Sequence, residues 1–193
     1  MKKWIRILPL LVIIIVLFIF SGYRFTALSA AKGNSFLLKD AELVEEYDTG
    51  KSTLFLFKND NEEVFQTVLS EKHGLLHRSR VSTNVPISAD EIQTVSIFSF
   101  TGEDEAATLL SVISNEREVA YIVAGVEPDI ERKAIQKGER ISFLFSFSEQ
   151  VESLNATAFN EEGKAVFYYG LPKNVSQVHI PEDLKWHKID DDE

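Results

Sequence analysis

Histidine and carboxylate side chains are the first candidates for chemistry in this sequence, because both bind metals. His73 and His77 are four residues apart, a spacing that places two ligands on one face of a helix, but Gly74 between them breaks such a helix. His179 and His187 are isolated. Three acidic clusters, at residues 103–105, 161–162 and 190–193, lack the spacing of an EF-hand. We therefore assign no metal ligand.

The triplet Asp48-Thr49-Gly50 has the form found in aspartic proteases. That chemistry needs two carboxylates that share one proton, so a chain with one triplet would have to dimerise. The triplet of such an enzyme ends an apolar strand, whereas Glu45 and Glu46 precede it here. Since Asp-x-Gly is also a common turn, we interpret the triplet as a turn.

Two further catalytic or cofactor patterns are incomplete. Gly50-Lys51-Ser52 has the end of a phosphate-binding loop, but the full pattern needs glycine at the position of Glu45 and a helix after the loop. No serine lies in the G-x-S-x-G elbow of serine hydrolases. We therefore assign no catalytic and no cofactor-binding residue, we expect no cofactor, and we favour binding over catalysis.

Phenylalanines at strand spacing are the remaining candidates, since they line some ligand cavities. The spacing of these residues is more typical of an ordinary core, and we interpret them in that way. The residues are Phe55, Phe57, Phe143, Phe145 and Phe147.

Charge and cysteine content limit the partners. The formal net charge is −10, and residues 1–24 hold four cations and no acid, so the remainder carries −14. A domain this acidic does not suit nucleic acid, and we expect anionic lipid surfaces to repel it. The absence of cysteine excludes disulfides, thiolate metal sites and a lipoprotein anchor.

The N-terminus predicts one membrane-spanning helix. Residues 7–20 carry no charge, and the stretch from Trp4 to Tyr23 reaches the roughly 30 Å thickness of a hydrocarbon core. Three cations precede the apolar run, which places the N-terminus in the cytoplasm and the C-terminal domain outside. The bilayer is therefore an expected partner of this single-pass chain. The alternative is secretion after cleavage near Ser29 or Ala31, where small residues offer a site.

Beyond the anchor, the pattern predicts a mainly β protein, with a β-meander followed by a sandwich-like part. We expect a lead and anchor over residues 1–24, a membrane-proximal β lobe over 25–88, a second β lobe over 89–180, and an acidic tail over 181–193. Residues 106–113 fit a helical face and strand alternation equally well, and we favour a strand. The other strands are expected at residues 43–44, 53–58, 64–69, 75–85, 92–100, 119–126, 143–147, 154–160, 165–169 and 175–180, and residues 130–135 are expected to form a short strand or a turn.

Residues 109–170 carry a resemblance, through the segments VAYIVAGVEPDI, ISFLFSF and NEEGKAVFYYG. They resemble small membrane-anchored proteins of unassigned function from Gram-positive bacteria, which share a basic lead, one apolar segment and a β-rich outer part. The resemblance implies a fold and a location. We therefore expect an extracytoplasmic binding or accessory module for an envelope protein or ligand. The alternatives are a small cell-envelope hydrolase of aspartic or serine type, and a ligand or cation sensor.

Overall fold

The computed structural model describes residues 21–173 and 184–189. These residues fold into two compact units: the first takes the chain up to Asp60 and Gln66–Ser82, and the second takes Asn61–Phe65 and the chain from Thr83 onward. The sequence pattern predicts a boundary after residue 88. No helix within the described ranges is both long and apolar enough to cross a bilayer, and residues 7–20 lie outside them.

A short helix and a four-stranded sheet come first along the chain. Helix α1 is capped by Thr26, whose hydroxyl accepts a hydrogen bond from the Ser29 amide. The strands follow one another in space as they do in sequence, in the order β1-β2-β3-β4, which is a meander. The core of the first unit lies where Ala31 of α1 packs with Phe55, Phe57 and Val68. The elements are α1 (Ala27–Lys32), β1 (Glu42–Asp48), β2 (Ser52–Asn59), β3 (Val64–His73) and β4 (Leu76–Pro86).

The second unit contains a β-sandwich. One sheet has the order β5-β6-β9 and the other the order β12-β11-β10-β7-β8. Side chains of both sheets form one core, in which Phe143 and Phe167 are almost fully buried. The strands are β5 (Ile92–Thr101), β6 (Ala106–Ser114), β7 (Tyr121–Val126), β8 (Asp129–Ala134), β9 (Arg140–Phe145), β10 (Thr157–Phe159), β11 (Ala165–Gly170) and β12 (Lys185–Lys188).

The mainly β prediction is confirmed, and the ambiguous residues 106–113 form strand β6. Three elements were not predicted. Helix α1 lies in the range assigned to the membrane-proximal β lobe, the 3-10 helix Val151–Leu154 lies where a strand was expected to begin, and β12 lies inside the range assigned to an acidic tail. The strand expected at residues 175–180 and the acidic residues 190–193 lie outside the described residues.

Candidate functional site

A cleft of about 330 Å³ opens at the end of the sandwich where β12 lies beside β5. We call it the Trp186 cleft. Its walls are mainly apolar side chains, and polar groups stand among them, which is the usual composition of a ligand site. The lining residues are Val85, Pro86, Ser88, Asp90, Ile92, Thr94, Ile97, Tyr169, Leu184, Lys185 and Trp186.

Trp186 is placed by its strand. It pairs with Tyr169 across β11 and β12, and the two rings meet edge to face with centroids 5.7 Å apart. The residue is 8% exposed, and its indole nitrogen has no hydrogen-bond partner among the residues that the structure describes. A buried donor without a partner costs about 1–3 kcal/mol.

The polar groups of the cleft carry both signs of charge. Asp90 accepts a hydrogen bond of 2.7 Å from the Ser88 hydroxyl, and its backbone carbonyl accepts another of 2.7 Å from the side-chain amide of Asn115. These bonds hold the segment between β4 and β5. Lys185 stands exposed on β12. The cleft therefore combines apolar walls with one carboxylate and one ammonium group, and it is lined by Trp186, the residue that holds the unpartnered indole donor.

A second cleft, of about 280 Å³, shares Tyr169 with the first and is also lined by Glu152 and Thr157. Burial raises the pKa of the Tyr169 phenol, and the negative charge of Glu152 raises it further. The phenol therefore stays protonated at neutral pH. Tyr168, on the same cleft, stacks on His187 at 5.3 Å and lies under the Lys173 ammonium group at 4.3 Å.

The Asp48 triplet forms the turn that the sequence predicts. The Gly50 amide donates a hydrogen bond of 2.8 Å to the Asp48 carboxylate, and Gly50 has a positive φ of 109°. The Thr49 hydroxyl donates to the Ser52 carbonyl in the same turn. The triplet and the incomplete phosphate-loop pattern that overlaps it therefore serve to join β1 to β2.

The three histidines within the described residues lie on strands. His73 ends β3 and contacts the Tyr23 ring at 5.7 Å, while His77 forms a β-bridge with Arg24. His187 bonds the Gly170 carbonyl at 3.0 Å, and His179 lies outside the described residues. Across residues 21–173 and 184–189, no group of three metal-binding side chains comes together.

The strand phenylalanines are core residues, as the sequence predicts. Phe55 and Phe57 are buried in the first unit, and Phe143 and Phe145 in the second, where Phe147 packs partly buried against them. None of the five lines either of the two clefts described above.

Sequence reasoning missed Trp186 and Tyr169. Trp186 fell in the presumed tail, and Tyr169 was assigned to a hairpin without a role. A signal was present: a tryptophan between polar neighbours in K-W-H-K has the alternation of a half-buried strand. Comparison with known proteins finds no family model, no curated protein and no solved structure that matches this chain.

Proposed function

We propose that the chain is a membrane-anchored, extracytoplasmic binding module, and that its second unit takes an apolar group bearing a hydrogen-bond acceptor in the Trp186 cleft. The proposal depends on Trp186, which lines that cleft and whose buried indole N–H is unpaired among the described residues. We infer that the natural partner is an envelope component that offers such a group.

The chemistry of the walls supports this ligand class. Val85, Ile97 and Leu184 line the cleft and are only half-buried, so an apolar group that fills the cleft removes further apolar surface from water. The indole donor then selects ligands that place an acceptor near it, because a buried donor penalises a ligand that leaves it unpaired. Capped amino acids with an apolar side chain have this combination, since their carbonyl groups accept hydrogen bonds.

The packing of α1 supports a retained anchor over cleavage. The cleavage sites considered, near Ser29 and Ala31, lie within α1, and Ala31 is fully buried in the core of the first unit. Loss of the chain up to Ala31 would also remove Arg24, whose amide and carbonyl both bond the backbone of His77. The described residues thus join the first unit directly to the end of the apolar run at residue 20.

Binding is tested with the full chain in lipid nanodiscs, in the Trp4→Phe background, so that Trp186 is the only tryptophan. The indole nitrogen is labelled with 15N, and N-acetyl-leucine methylamide is added as the probe. We expect a downfield shift of the single indole N–H resonance that saturates with probe, because the proton enters a hydrogen bond.

Two matched substitutions separate the clefts. Thr94→Phe places a ring in the Trp186 cleft and should abolish the saturable shift, while Thr157→Phe makes the same change in the second cleft and should leave it intact. No shift at saturating probe, or an equal shift in the Thr94→Phe protein, would overturn the proposed site.

A further inference from the structure

Two segments distant in sequence lie side by side in the first unit. Arg24 pairs with His77, with backbone hydrogen bonds of 2.8 and 2.7 Å in both directions. Tyr23 extends this contact, since its ring meets His73 at 5.7 Å and the Arg78 guanidinium at 5.1 Å. The chain that follows the apolar run is therefore fixed against the β3–β4 hairpin.

These segments, residues 21–33 and 72–80, differ in charge from the rest of the protein. Together they hold five cations, two histidines and no acid, in a chain whose net charge is −10. The pairing of the two segments concentrates positive charge that the chain-wide balance conceals. The expectation that anionic lipid repels the domain therefore does not extend to this part of it. The cations are Arg24, Lys32, Lys72, Arg78 and Arg80.

The same two segments also carry exposed apolar side chains. Leu75, in the turn of the hairpin, is 91% exposed, and Phe25, next to the paired Arg24, is 74% exposed. Because the pairing is antiparallel, Phe25 continues toward the hairpin turn that holds Leu75. We call residues 21–33 and 72–80 the basic-apolar patch. Cations with exposed apolar side chains form the composition that binds anionic membrane surfaces.

We infer that the basic-apolar patch docks on the anionic headgroups of the bilayer that holds the anchor. This inference rests on the proposed anchor, because the position of the patch along the chain selects lipid as its occupant. Phe25 is the fifth residue after the end of the apolar run at residue 20, a reach of at most about 18 Å. Leu75 and Phe25 then insert among the headgroups, and the cations bind phosphate groups.

The test uses the full chain reconstituted in vesicles, with both native tryptophans removed by Trp4→Phe and Trp186→Phe. The substitution Leu75→Trp then introduces a single fluorescent reporter. Its emission is measured in vesicles of phosphatidylcholine with phosphatidylglycerol, with and without brominated acyl chains. We expect a blue shift in the anionic vesicles and a loss of emission with brominated lipid.

Phe36→Trp, in the same background, is the matched control. Phe36 is 67% exposed in the same unit but lies outside the patch. Its carbonyl accepts a hydrogen bond from the side-chain amide of Gln66, which is seven residues before His73 on β3. A reporter at this position should therefore show neither the blue shift nor the quenching.

Charge reversal tests the headgroup contact. Lys72→Glu with Arg80→Glu should abolish the blue shift and quenching of the Leu75→Trp reporter. Lys39→Glu with Lys137→Glu makes the same net change outside the patch and should preserve both signals. Equal signals in pure phosphatidylcholine and in anionic vesicles would overturn the anionic headgroup contact.

Flotation of the vesicles separates the two proposals. A chain that floats with vesicles but shows no quenching of the Leu75→Trp reporter overturns the docking alone, and leaves the anchor standing. A chain that does not float overturns both the anchor and the docking.

Discussion

Trp186→Phe gives the sharpest test of the site, because the structure fixes the sign of its effect on stability. The substitution removes the indole N–H, which is buried without a partner among the described residues, and keeps an aromatic ring in the core of the sandwich. A merely structural tryptophan would lose packing and gain nothing. If the indole N–H of Trp186 instead donates to a ligand, the Trp186→Phe protein should lose binding and keep its stability.

The magnitude follows from two opposed changes. Removing an unpaired buried donor returns about 1–3 kcal/mol. The smaller ring leaves a space that costs about 1 kcal/mol. We therefore expect the free energy of unfolding of the second unit to stay unchanged or rise by about 2 kcal/mol. If the donor were instead paired, the lost hydrogen bond and the lost packing would add, and stability would fall by about 2 kcal/mol.

Native-state hydrogen exchange of the full chain in lipid nanodiscs measures this quantity, with β9 as the reporter because it crosses the same core. Phe143→Leu serves as the control for loss of a ring without a polar atom, and should speed exchange by lowering stability about 1–2 kcal/mol. Exchange in the Trp186→Phe protein should be unchanged or slower. Because this protein has no indole N–H, binding of N-acetyl-leucine methylamide is followed instead by a 13C-methyl spectrum. The shift that the probe induces in the parent protein should be absent from the spectrum of the variant. Faster exchange than in the parent would refute the assignment of Trp186 as an unpaired donor.

Four further outcomes are expected. Gly125→Ala should prevent folding of the second unit, since a Cβ there, at a φ of +134°, would lie 2.9 Å from the Ile130 Cα and closer still to the Asp129 carbonyl oxygen. In Gly138→Ala the new Cβ meets no atom within 4 Å, so the cost is only that of a side chain in a left-handed backbone conformation. Thermal unfolding should show a loss of stability of about 1–2 kcal/mol. Above pH 10 the phenol of Tyr169 loses its proton in the unfolded chain. In the folded protein its raised pKa keeps the proton bound. Stability should therefore fall by up to about 1.4 kcal/mol per pH unit, and Tyr169→Phe should remove that part of the slope in urea titrations at pH 9–12. Protease added to intact spheroplasts should remove the chain from Phe36 onward, and protection of that part would contradict the proposed orientation.

Strand positions were predictable because the local pattern decides them. The run Thr53-Leu54-Phe55-Leu56-Phe57 is apolar at every position after its first, and β2 is buried along almost its whole length. Residues 106–113 were harder, since both periods fit, and the tertiary structure decides for a strand: β6 lies between β5 and β9, with Leu109 and Leu110 both fully buried. A central strand buried on both faces loses the alternation that identifies strands at a sheet surface.

The two proposed surfaces could not be predicted in the same way, because each is made by pairing between distant segments. Trp186 reaches the cleft only because β12 pairs with β11 and lies beside β5, more than eighty residues earlier in the chain. The positive charge of the basic-apolar patch likewise depends on the bridge between Arg24 and His77. Composition averages over such pairs, so an acidic chain was expected to avoid anionic lipid.

The two proposals belong to different compact units, and this makes them separable by experiment. Thr94→Phe alters a side chain of the second unit, and Lys72→Glu with Arg80→Glu alters only the first, so each set should leave the other readout unchanged. Effects of distant, independent sites add, whereas coupled sites deviate from additivity. If the combined variant lost more binding than the sum of its parts, occupation of the cleft and docking on the bilayer would be thermodynamically linked, and the protein would report membrane contact to its partner.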